Sequence, residues 1–79
     1  MYDLDAHIRG SISFDRSVRF HGDVEGDLTV SRGHTLELRG HVGRDLIVEE
    51  GASAIVGGPV GRYIVNKGGK VTLEIDRET

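Results

Sequence analysis

The 79-residue chain has no cysteine and no tryptophan, a single proline, and only two phenylalanines and two tyrosines. Without thiols it forms neither disulfide staples nor thiolate metal sites, which is compatible with a reducing compartment. So few aromatic rings leave few platforms on which bases or sugars stack. No apolar run approaches the roughly 20 residues of a membrane-crossing helix, and the opening segment from Met1 to His7 lacks a basic region followed by an apolar one. Basic residues are not in excess either: the net charge is -3, with both signs scattered along the chain. Nucleic acid is therefore not the expected partner, since phosphate binding needs a clustered basic face. These absences point to one soluble, cytoplasmic domain over residues 1–79, with no membrane span.

What the chain has in plenty is glycine, 12 residues, and it is placed periodically. Gly22, Gly40 and Gly58 lie eighteen residues apart, each two residues before a valine: Val24, Val42 and Val60. One small unit copied along the chain is the reading of such spacing. A third copy from Gly58 to Gly68 is one residue short near Asn66, or carries a bulge there. Stepping back by eighteen from the first copy puts Ile12 on Val30, Val18 on Leu36 and Phe20 on Leu38, a degenerate opening copy without its glycine.

Within the eighteen runs a beat of six: Ile12, Val18, Val24, Val30, Leu36, Val42, Val48, Ala54 and Val60 are all aliphatic. Six does not fit the 3.6 period of a helix. Pairs such as Leu28-x-Val30 and Leu46-x-Val48 instead show the alternation of short half-buried strands. Three strands per eighteen residues make a triangular coil. The sequence thus predicts an all-β, single-stranded parallel β-helix (β-solenoid) with triangular coils of about 18 residues over about residues 8–75, and short polar termini. Leu28, Leu46 and Ile64 stack inside it, as do Val24, Val42 and Val60, and the glycines take the corners.

Groups for chemistry are thin. His7, His21, His34 and His41 share no eighteen-residue spacing, although the coil register brings His21 and His41 close, and no ligand pattern for zinc stands out. The serines lack a G-x-S-x-G turn, no phosphate loop is present, and Asp27 and Asp45 are one corner repeated. The expectation is a non-enzyme with no cofactor and no metal. Arg44 and Arg62 occupy equivalent corners, either as solvated residues or as an anion site. Charge pairs across coils are expected for Arg32 with Glu50 and for Glu49 with Lys67, each contributing a few tenths to about 1 kcal/mol and favouring this register over slips.

The runs Gly22-Asp-Val24-Glu-Gly26-Asp-Leu28-Thr-Val30 and Gly40-His-Val42-Gly43-Arg-Asp-Leu46-Ile-Val48 resemble the G-x-V-x-G-x-V-x-V coils of bactofilins, the bacterial polymer-forming cytoskeletal proteins. The resemblance extends over roughly residues 8–75. It implies a right-handed coil and association end to end into filaments without a nucleotide. A rival geometry is the left-handed hexapeptide β-helix of acyltransferases, whose aliphatic residue also returns every six.

An open solenoid ends in unpaired backbone groups, so its ends either pair with another copy or are capped. The candidate self-association residues are Ile8, Ile12, Phe14, Val18 and Phe20 at one end and Val71, Leu73 and Ile75 at the other. Phe14 or Phe20 plugging the core of a self-capped monomer is the competing reading. Two functions follow: a non-enzymatic bactofilin-like scaffold that self-associates through its terminal coils as a homo-oligomer, or a small protein-binding module, such as an immunity protein or an inhibitor of a toxin or enzyme.

Overall fold

The computed structural model describes residues 2–74. Those residues form β1 (Tyr2–Ile8), β2 (Ile12–Phe14), β3 (Val18–Val24), β4 (Leu28–Val30), β5 (Thr35–Leu38), β6 (His41–Val42), β7 (Leu46–Val48), β8 (Ser53–Val56), β9 (Ile64–Asn66) and β10 (Lys70–Leu73). There is no helix among them. One face is the ladder β1-β3-β5-β8-β10 and a second is β2-β4-β7-β9. The third is short: β6 lies beside the end of β3, and Val42 bridges Val60. The pairings are parallel and link each strand to its counterpart one coil later. The chain is a β-solenoid of about four turns, as the periodicity predicts.

Its core is a set of aliphatic columns. Ile12, Leu28, Leu46 and Ile64 are successive partners on one face. Leu4, Phe20, Leu38, Val56 and Leu73 are partners on another. In the middle coils these side chains are sealed: Leu28, Leu38, Leu46, Val42 and Val48 have no exposed surface. Leu46 is therefore covered on both sides by its own repeat equivalents.

The corner glycines permit this stacking. A Cβ at Gly22 would collide with the carbonyl of Ala6, one at Gly40 with that of Gly22, and one at Gly58 with that of Gly40. Of these three only Gly22 has positive φ, at 136°. Close approach of successive backbones, more than left-handed conformation, thus accounts for the eighteen-residue glycine. Ala6 stands in the same column, opposite Gly22. Its Cβ is tolerated because no earlier coil lies beneath it among the described residues.

One register differs from expectation. Ile12 pairs with Leu28, and Phe14 with Val30, so the first coil is offset by sixteen residues and Ile12 does not sit on Val30. Val18 on Leu36 and Phe20 on Leu38 stand as expected. The cause is the corner. Only Asp15, Arg16 and Ser17 separate Phe14 from Val18, whereas residues from Ser31 to Thr35 separate Val30 from Leu36. The longer corners turn on Gly33 (φ 80°) and Gly51 (φ 77°). The shorter corner has no glycine, and the Ser17 hydroxyl takes the Thr35 N–H at 3.1 Å in place of a backbone carbonyl. In the last coil the corner is one residue short, as the shortened third repeat anticipates, and the Asn66 carboxamide accepts the N–H groups of Gly68 and Gly69 there.

Two substitutions test the stack. Leu46→Asp buries an unpaired charge in the middle column and is expected to abolish the β spectrum, while Leu46→Ala costs about 2–5 kcal/mol in urea unfolding. Gly40→Ala, which adds a single methyl group against the Gly22 carbonyl, is expected to destabilise by at least about 2 kcal/mol. A Gly40→Ala protein as stable as wild type would refute the close-approach account of the corner.

Candidate functional site

Hydrogen-bond and charge ladders run along the outside of the coils. The Asp27 N–H donates to the Ser11 hydroxyl at 3.0 Å, the Asp45 N–H to Asp27 Oδ1 at 3.0 Å, and the Tyr63 N–H to Asp45 Oδ1 at 3.1 Å. The repeated aspartate thus serves the backbone of the following coil. On the adjoining face Arg19 lies between Asp3 at 3.5 Å and Glu37 at 2.6 Å. Glu37 also faces Arg39 at 3.4 Å, and Arg39 in turn contacts Glu74 of the last coil. The hydrogen bond from Arg19 holds the Glu37 carboxyl below its ordinary range, and the bond to Glu74 holds the Arg39 guanidinium above its own. Arg32 meets Glu50 at 3.8 Å as expected, whereas Glu49 and Lys67, though in register, make no ion pair among the described residues.

The coil register places His41 diagonally from His21, two residues along the neighbouring strand. His41 lies directly opposite Asp23, and His21 opposite Asp5. His7 and His41 approach the two oxygens of Asp23 from either side, at 3.6 Å and 3.7 Å, and His7 Nε2 reaches Glu25 at 2.7 Å. Among the described residues no three His, Asp or Glu side chains converge on a metal-sized space. Arg44 and Arg62 stack as corner residues, with the Arg62 N–H on the Arg44 carbonyl at 3.0 Å. The Arg62 guanidinium is 4.0 Å from Asp45 and lies over the Tyr63 ring, so it has an acidic neighbour where an anion cradle would need an unopposed cation.

The two ends of the solenoid are unequal. At the first coil Phe14 is 7% exposed and packs on Phe20 with ring centroids 5.8 Å apart. Val18 and Phe20, expected at an adhesive end, are enclosed in the core and offer no surface to a second molecule. Ile8 and Ile12 are half-buried against the same cluster. The first coil also carries a hollow of about 350 Å³ lined by Tyr2, Leu4, Phe14, Asp15, Arg16 and Val18.

At the last coil the columns are uncovered. Leu73 is 56% exposed, Tyr63 65% and Ile64 38%. With Val60 and Val56 they line an open groove of about 620 Å³, whose charged lining residues are Arg62 and Glu74. Val71 is half-buried against the core. Ile75 lies outside the described residues. Among the described residues the groove's lining is mainly apolar and lies beside strand edges. Val60, Tyr63 and Ile64 did not stand out as end residues in the sequence, because Val60 and Ile64 continue columns that are buried one coil earlier.

No family model matches the chain, and no curated protein or solved structure gives a match either.

His7 is a titratable link between the first two coils. Its hydrogen bond to Glu25 raises its pKa above the ordinary value of about 6.5, with the Glu25 charge and Asp23 adding to this and partial desolvation opposing it. A raised folded-state pKa contributes stability that is fully present below the unfolded pKa and is lost as pH rises through the folded one. Amide exchange in β1 is accordingly expected to accelerate, relative to β7, when pH is raised from about 6 to about 8. Allowance must be made for the intrinsic pH dependence of exchange. His7→Gln is expected to remove that difference, and an unchanged one would show that His7 does not hold the first coil.

Proposed function

We propose that the chain is a non-enzymatic, bactofilin-like scaffold that self-associates through its terminal coils, with the last coil as the adhesive end. The observation that carries this reading is the exposure of Leu73, Tyr63 and Ile64 around the groove of the last coil, next to strands β9 and β10 at the ends of their sheets. An end strand presents a row of N–H and C=O groups able to pair with another chain. Apolar side chains collected in one rimmed patch favour contact with protein over solvent. The same columns are dry in the middle coils because another coil covers them, so a second protein surface restores at the end the environment these residues have inside.

Sedimentation equilibrium over a roughly hundredfold concentration range tests the reading. The average mass is expected to rise with concentration, and Leu73→Lys, placed at an exposed site where it leaves the inner coils intact, is expected to suppress that rise. A wild-type mass that stays monomeric throughout would turn the assignment toward the small protein-binding module.

A further inference from the structure

We propose that two copies of the chain join through β10, paired antiparallel about Thr72 on a two-fold axis, so that association through this end stops at a dimer. The proposal rests on the reading of the last coil as adhesive and names the partner and its register.

The segment Lys70-Val71-Thr72-Leu73-Glu74 has the same character from either end: cation, aliphatic, polar, aliphatic, anion. Set antiparallel against itself about Thr72, it places Lys70 opposite Glu74 of the second copy and Val71 opposite Leu73 of the second copy, each pairing occurring twice. Opposite charges directly across a strand pair are favourable, and like charges are unfavourable. The inner residues match too, since Val71 and Leu73 continue the columns of Ala54 and Val56.

Backbone parity agrees with this register. The N–H groups of Lys70 and Glu74 donate to Ala52 and Val56, both at 2.9 Å, and so face β8. By strand alternation the N–H and C=O groups of Val71 and Leu73 face the other edge. In an antiparallel ladder two residues directly opposite exchange both hydrogen bonds at alternate positions. The pairs Val71 with Leu73, and Leu73 with Val71, fall on those positions and give four hydrogen bonds across the axis. A two-fold axis along the sheet normal keeps the inner faces inward, so the grooves of the two copies close on each other.

Head-to-tail stacking in the register of the inner coils would instead lay β1 of a second copy on β10 with its Leu4 on Leu73, which sets its Asp5 opposite Glu74, two like charges directly across the strand pair. A like-to-like contact at one end is isologous and closes at two copies.

The test is sedimentation equilibrium of the full chain with charge-reversed and edge-blocked variants. Lys70→Glu and Glu74→Lys each set like charges opposite one another twice, and each is expected to weaken the dimer roughly tenfold. The double variant restores opposite charges and is expected to return to within about threefold of wild type. Val71→Pro removes an N–H directed to the free edge and is expected to be monomeric with its β spectrum retained. Single variants that dimerise like wild type, a double variant that does not recover, or wild-type particles larger than two would overturn the β10 register while leaving association through the ends in place. A wild-type chain monomeric at every concentration overturns both.

Discussion

The structure depends on how closely one coil's backbone approaches the next. Parallel strands hydrogen-bond at about 4.8 Å, and that spacing must hold at the corners as well as along the faces. At the corner column the carbonyl of each coil points to the place where the following residue would carry a Cβ, which is why Gly22, Gly40 and Gly58 recur. A glycine in a strand ordinarily weakens it through lost packing and entropy. Here that cost is offset by continuous ladders on the neighbouring faces, whose aliphatic columns have no exposed surface in the middle coils.

Polar groups follow the same logic of repetition. Each corner aspartate accepts the N–H of the coil that follows, so a side chain does the work of a backbone partner where the ladder is interrupted. The exposed chain of Asp3, Arg19, Glu37, Arg39 and Glu74 adds alternating charge along one face. Individually such pairs are weak because water screens them. Their value is positional, because slipping the register by one residue would set the charges against the wrong partners and turn the aliphatic columns outward.

Because each coil contacts only its neighbours, the ends differ from the middle by having one neighbour fewer. The first coil answers this with Phe14 folded over Phe20 and with a tight corner lacking glycine. The last coil has no comparable plug among the described residues, and its columns run out into the groove of Val60, Tyr63, Ile64 and Leu73. Function is accordingly sought in the geometry of that end, not in any cluster of reactive groups. The same inequality distinguishes a two-fold contact from an indefinitely growing stack.

The sequence by itself determined the coil: eighteen-residue glycines, six-residue aliphatics and the stacking of Leu28, Leu46 and Ile64 are legible because a repeat reports its own neighbours. It also located the missing residue near Asn66. Tertiary structure decided what periodicity does not encode. The sixteen-residue offset of the first coil depends on how Asp15, Arg16 and Ser17 turn, which a rule of eighteen passes over. Exposure, above all, is a property of what lies on either side: Leu46 and Ile64 occupy one column and read alike in sequence, yet the first is sealed between two coils and the second is 38% exposed where the described coils end.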